Sequence, residues 1–243
     1  VELLGREVLL PRAVALASVL LLAVAGCKSP SGKGVNDVVV RQALVGKDGA
    51  RTVTAANTIV NTYSALAADA AAGTSAVTVN ALSDLATAEG TDGGLQPLAV
   101  GDLVLIIQMA GATINDPNDP NDPTYGSVTR LNTAGNYELA GVAGVAGNTI
   151  ALGCPLKNSY TATGKAQVIR VAQYTTLTIN SGASITAPAW NGTVGGVVAL
   201  HAASTLNLSG TIDVSATGFR GGTVHTGTAN NGTVDITIYR SAN

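Results

Sequence analysis

Few side chains in this sequence have a type and spacing that could do chemistry, and each set points to a different kind. Asp116, Asp119 and Asp122 recur in Asn115 to Pro123, NDPNDPNDP, and oxygen ligands of this sort suit a hard cation such as calcium. Proline at every third position fixes φ and keeps the residue before it extended. The carboxylates are thereby held apart, and a solvated, protruding loop with no metal is expected. His201 and His225 have no HExxH pattern, Cys/His cluster, nucleophile elbow or phosphate loop around them, and read as corner and loop residues. Cleaving a sugar acid would need several Asp, Arg or Lys side chains held close together. The C-terminal part offers Asp213, Arg220 and Asp235 before Arg240, and Asp213 stands among Thr211, Ile212, Val214 and Ser215. No catalytic residue and no cofactor are assigned, and the chain is expected not to be an enzyme. Trp190, Asn191 and Tyr174 remain. An exposed indole stacks on a sugar ring while asparagine supplies hydrogen bonds; the other reading of Trp190 is a cap on the apolar junction between two domains.

The elements that must position these residues are short strands. From Thr175 to Ala216, Leu177 and Ile179, Ile185, Val198 and Leu200, Leu206 and Leu208, and Ile212 and Val214 alternate with Thr, Ser and Asn between glycine-containing corners. TLTINSGASITA at Thr176 matches TLNLSGTIDVSA at Thr205 at an offset of roughly 27 to 29 residues, a spacing typical of one coil of a repeat architecture. Residues 174–243 are therefore expected to form a short right-handed parallel β-solenoid, each rung burying its inner face on the next. Before it, Ser75–Val79, Asp102–Gln108, Asn136–Ala140, Val142–Val145, Asn148–Leu152 and Gln167–Val171 read as strands, with Gly147-Asn148 as a two-residue hairpin turn. They predict a small antiparallel β-barrel or sandwich over residues 57–173. Fold class is thus all-β. Ala65 to Ala72 has helix-forming composition but is too short to stand as a helix.

Composition agrees with an exported β-rich protein. Of 243 residues, 46% are hydrophobic but only 12% are charged and 3% aromatic, against roughly 25% charged in ordinary domains. Small aliphatics, Thr and the 29 glycines must carry the fold. A net charge of −2 with scattered basic residues gives no electrostatic footprint for nucleic acid, so no nucleic-acid partner is expected.

At the amino terminus, Arg6 and Arg12 precede the apolar run Ala13 to Ala25, which has the length of a signal-peptide core and is too short to span a bilayer. It ends in Val24-Ala25-Gly26-Cys27, which resembles the lipobox of bacterial lipoproteins. That resemblance implies a signal peptide over 1–26 and a diacylglyceryl thioether on Cys27, followed by a linker over 27–56 in which Ser29 to Gly34 buries nothing. Several acyl chains on one cysteine anchor stably. Lys28 after the cysteine, where inner-membrane lipoproteins often carry an acidic residue, implies the outer membrane or cell surface of a Gram-negative bacterium. With Cys27 lipidated, Cys154 is expected to have no intrachain disulfide partner.

Longer phrases also match together: ANTIVNTYSALAADAAAGTSAVTV at Ala56, VGDLVLIIQMAGA at Val100, NTAGNYELAGVAGVAGNTIAL at Asn132, LKNSYTATGKAQVIRV at Leu156, and ITAPAWNGTVGGVVAL at Ile185 through GFRGG at Gly218. Their ordered set resembles the myxobacterial adventurous gliding motility proteins of the AgmC type. The resemblance implies an envelope surface protein with a structural or adhesive role, partnered by the membrane and by envelope or matrix polysaccharide or other surface proteins. A polysaccharide-binding module is the alternative, with a polysaccharide-cleaving enzyme ranked below both. Members continue past Gly-Phe-Arg-Gly-Gly into glycine-rich sequence, which implies either a truncated C-terminus here or an open solenoid end covered by something else.

Overall fold

The computed structural model of the protein describes residues 46–88, 95–115, 124 and 126–219. In chain order its strands are β1 Ala50–Val53, β2 Thr58–Ile59, β3 Thr62–Ala65, β4 Ala76–Thr78, β5 Leu103–Gln108, β6 Thr113–Ile114, β7 Val128–Arg130, β8 Tyr137–Ala146, β9 Thr149–Leu152, β10 Ala166–Ile179, β11 Ser184–Thr186, β12 Leu200–Leu208 and β13 Thr211–Ile212. One 3-10 turn, Leu82–Leu85, is interposed. The fold is all-β, as the alternating apolar pattern predicts.

β10 holds the two parts together. Its sequence AQVIRVAQYTTLTI is rich in β-branched side chains and is buried without a break from Ala166 to Tyr174, the burial expected of a strand covered on both faces. Its first half pairs antiparallel with β5 on one edge and β3 on the other. Its second half pairs parallel with β1 and β12. The predicted boundary at Gln173 thus falls inside one continuous strand.

From β5 the antiparallel sheet continues through β8 and β9 to β4. β8 and β9 close through Gly147 and Asn148, with Gly147 at φ +55°, the two-residue turn read from the sequence. One face of this sheet packs Val104, Ile106, Val142, Ile150, Tyr160 and Val168 into a core. The other packs Leu103, Leu105, Ile169 and Val171 under Val197 and Ala199 of the β11–β12 connection. That connection is also bonded down: Tyr63 Oη donates to the Val197 carbonyl at 2.7 Å, and the Gln167 side chain exchanges two hydrogen bonds with Gly195.

The parallel part is three stacked rungs. Val53 of β1, Ile179 of β10 and Leu208 of β12 lie in one column, and β2, β11 and β13 form a second parallel sheet. Their inner faces build a core of Val53, Tyr174, Leu177, Ile179 and Ile185, with Leu206 and Ile212 packed against it. The first rung comes from Ala50–Val53, a stretch the sequence reading leaves in the linker. Stacking this close needs a corner without a side chain: a Cβ on Gly210 would lie 2.3 Å from the Ala183 carbonyl oxygen.

Where β10 changes partners, backbone groups are left without a strand to pair with, and side chains take over. Leu103 N–H donates to Gln173 Oε1 at 2.8 Å, and Gln173 N–H donates to Asp48 Oδ2 at 2.7 Å. Beside them Arg170 pairs with the buried Asp102 at 3.0 Å and donates to the Gln96 carbonyl at 2.7 Å. Lys47 reaches Asp102 from the solvent side. A buried charge in such a place is tolerated only when paired and hydrogen-bonded. Burial pushes the Asp48 carboxyl above its usual value, opposed first by the Gln173 backbone hydrogen bond and then by the Arg170 charge.

Candidate functional site

In the rungs, Leu177 and Ile179 point into the core, so Thr176 and Thr178 between them face outward, as do their partners in neighbouring rungs. The register aligns Thr52, Thr178 and Asn207 in one column and Ala50, Thr176 and Thr205 in the next. Parallel strands lie about 4.8 Å apart and alternate residues about 6.6 Å apart along a strand. Apart from the methyl of Ala50, the outer face is therefore a grid of four hydroxyls and one amide, none of them charged. Asn207 Nδ2 donates to Thr178 Oγ1 at 3.3 Å, and Ser204 Oγ lies 3.3 Å from Thr205 Oγ1. Each hydroxyl both donates and accepts, so the grid can meet a neutral polyhydroxylated surface without desolvating an ion.

The residues predicted to stack on sugar are placed otherwise, and this corrects the reading of an open aromatic platform. Trp190 is buried, its backbone N–H donating to the Thr217 carbonyl at 2.7 Å and its ring set against Phe219. Tyr174 is wholly enclosed in the solenoid core. Both rings are consumed by packing because the rungs hold few other large side chains. Asn191 is exposed, but its Oδ1 accepts from the Thr193 and Val194 N–H groups, each at 2.9 Å, which fixes the loop.

His201 lies within β12 opposite Gln173. Burial lowers its pKa, and its Nδ1 has no hydrogen-bond partner. Asp213 is fully exposed, and hydrogen bonds from the Ser215 side chain and backbone hold its carboxyl below the usual value, the reverse of what a proton donor near neutrality needs. Cys27, Asp116, Asp119, Asp122, Arg220, His225 and Asp235 lie outside the described residues. Among the described residues no group of His, Cys, Asp and Glu could hold a metal ion, and no helix is long and apolar enough to cross a membrane. Cys154 is disulfide-bonded, which corrects the expectation that it has no partner.

Two features were missed by sequence reasoning. The outer grid shows as Thr-x-Thr at Thr176 and Thr-x-Asn at Thr205, a visible signal once the rungs are aligned. The cluster of Lys47, Asp48, Asp102 and Arg170 leaves no such trace, since it is assembled from distant stretches.

No protein-family model matches the chain, and no curated protein does. Among solved structures the chain is similar to the gp61 tailspike of Pseudomonas phage phi297, with 13% identity over 67% of this chain and 23% of that one, at a TM-score of 0.30. It is also similar to the Gp54 tailspike of Acinetobacter baumannii bacteriophage AP22, solved in complex with an A. baumannii capsular saccharide, with 14% identity over 56% and 19% at a TM-score of 0.28. A third is the gp49 tailspike of Pseudomonas phage LKA1, with 15% identity over 60% and 28% at a TM-score of 0.27. The chain spans less than a third of the length of each. The expectation that the chain is not an enzyme is corrected on this finding: its solved neighbours are tailspikes, so the exclusion drawn from missing motifs is withdrawn.

Proposed function

We propose that this chain is an envelope surface module that holds polysaccharide along the outer face of its solenoid and that, in chains whose Cys154 is reduced, is tethered through a lipid on Cys27. The observation that carries the ligand is the in-register grid of Thr52, Thr176, Thr178, Thr205 and Asn207, which offers a sugar chain hydroxyl and amide partners in a fixed array. With the rings of Trp190 and Tyr174 enclosed, hydrogen bonds must supply the affinity at the grid. At about 1 kcal/mol net for each of five side chains, binding to one stretch of sugar is no tighter than about 0.2 mM. Useful retention then comes from many modules meeting one polymer. The tether, the outer-membrane location and the kinship to gliding-motility proteins rest on the sequence phrases alone.

Calorimetric titration with dextran, alginate and polysaccharide extracted from the producing cell tests the reading. Because the grid is uncharged, at least one of these polymers is expected to bind with little dependence on ionic strength. Thr178→Val, which keeps the shape and removes the hydroxyl, should weaken that binding at least threefold. Binding that vanishes in salt, or is untouched by Thr178→Val, contradicts the proposal.

A further inference from the structure

The two repeats of the outer grid are unequal, and the difference sets the direction in which a polymer can lie on it. Across the rungs, Thr52, Thr178 and Asn207 follow one another in register, as do Ala50, Thr176 and Thr205 in the next column. That step is about 4.8 Å, whereas the step along a strand, from Thr176 to Thr178, is about 6.6 Å. A pyranose ring linked at opposite corners through equatorial oxygens advances roughly 5 Å, one ring crossing plus one bridging oxygen at single-bond lengths of about 1.5 Å. Laid across the rungs, such a chain drifts out of register by less than about 1 Å over two steps. Laid along a strand it drifts by about 3 Å, a whole hydrogen-bond length. The first placement alone keeps each sugar opposite a rung.

A fixed repeat also selects the linkage. A (1→6) linkage inserts one more rotatable bond, so the chain loses more conformational freedom in matching the grid, and axial linkages coil a chain away from a flat face. An equatorial (1→4) chain is extended and presents hydroxyls at both edges of every ring. Two columns about 6.6 Å apart meet those two edges. Because each threonine hydroxyl both donates and accepts, the half-turn between successive rings leaves no group without a partner. The grid has no cation to offset a carboxylate: Arg51 stands in the column of Leu177 and Leu206, on the alternate residues of the strands. An acidic polymer loses hydration there without gaining a countercharge.

We infer that the ligand of this face is a neutral, equatorially (1→4)-linked polysaccharide whose chain runs across the rungs, parallel to the solenoid axis, with one sugar to each rung. The inference rests on the polysaccharide reading above and narrows it. The rungs then act as successive subsites: Thr52 beside Ala50 offers one hydroxyl, Thr176 and Thr178 offer two, and Thr205 and Asn207 offer a hydroxyl and an amide.

Titration of the full chain with β-(1→4)- and α-(1→6)-linked glucose oligomers of two, three and six units, read from amide chemical shifts, tests this. The β-(1→4) trimer is expected to bind about fivefold more tightly than the dimer, the gain from one further hydrogen bond. The hexamer should gain over the trimer no more than the number of registers in which it can sit. The α-(1→6) trimer should bind at least about fivefold more weakly than its β-(1→4) counterpart, for want of at least one hydrogen bond. A nitroxide on the reducing end of the β-(1→4) trimer should broaden the amides of one terminal rung most, at Thr52 or at Asn207, those at Thr178 less, and those of the opposite rung least. Broadening that separates Thr176 from Thr178 alike in every rung, equal binding of the α-(1→6) trimer, or no binding of the β-(1→4) oligomers overturns the inference. Polysaccharide from the producing cell, titrated in parallel, separates that failure from a wider one: shifts at the grid keep the polysaccharide reading with another linkage or direction, and their absence removes both.

Discussion

Trp190 and Phe219 occupy the same station on successive coils, their ring centroids 5.7 Å apart and their planes inclined by 45°. The centroid separation lies within the range over which aromatic pairs attract. It makes the only tryptophan in the sequence a reporter of whether the third coil is seated on the second. Phe219→Ala should lower stability by about 1–2 kcal/mol, shift Trp190 emission to the red and raise its quenching by acrylamide. Unchanged quenching would mean that the two coils do not meet there.

Asp102 and Arg170 clamp the place where β10 trades its antiparallel partners for parallel ones. Asp102→Asn leaves the Arg170 guanidinium buried with only carbonyl acceptors, and should cost about 3–5 kcal/mol. Arg170→Met should cost less, because Lys47 still faces Asp102. Urea denaturation of the two variants checks the order, and a larger loss for Arg170→Met would reverse the assignment of which charge depends on which.

Asp48 makes stability depend on pH in a definite direction. Its folded pKa is raised, chiefly by burial, so between the ordinary value near 3.8 and that raised value the folded chain holds more protons than the unfolded one. This carboxyl therefore favours the fold increasingly as pH falls through the window, and its cost is fully present above it. Relative to Asp48→Asn, which keeps an oxygen to accept from Gln173 N–H, the unaltered protein should gain stability as pH is lowered. Thermal melts of both proteins between pH 7 and the acid limit check this, and parallel curves would refute it.

Much of the fold could be read from the chain because stacking repeats one local pattern. Leu177 and Ile179 recur as Leu206 and Leu208, and a period-two signal repeated one coil later identifies rungs without any knowledge of their partners. The first rung escaped because Ala50-Arg51-Thr52-Val53 offers a single strong apolar residue, and its pairing with Thr176–Ile179 bridges the whole antiparallel part. The junction charges escaped for the same reason: Lys47, Asp48, Asp102 and Arg170 are ordinary surface types until a shared strand brings them together. The burial of Trp190 fits the reading of an apolar cap and not that of an open platform, but local sequence does not name the ring that covers it. Its matching interval to Phe219 was the available signal.

Under the proposed lipidation of Cys27, the two cysteines of the sequence tie anchoring to redox state. An intrachain disulfide at Cys154 and a thioether at Cys27 need the same sulfur, so one chain cannot carry both. Protein extracted from membranes is expected to be lipidated and to offer one maleimide-reactive thiol, Cys154, whereas unlipidated protein should offer none. Intact-mass spectrometry after maleimide labelling distinguishes them, and membrane-extracted chains without lipid would remove the proposed tether.

The central claim is that polysaccharide lies on the outer face of the rungs. Amide chemical shifts of isotope-labelled protein, followed during titration with the polymer that binds in calorimetry, locate the contact residue by residue. Shifts are expected to concentrate at Thr52, Thr176, Thr178, Thr205 and Asn207 and to be smaller in Thr178→Val at the same sub-saturating polymer concentration. Shifts confined to the antiparallel sheet, or to the β6–β7 hairpin, would contradict it.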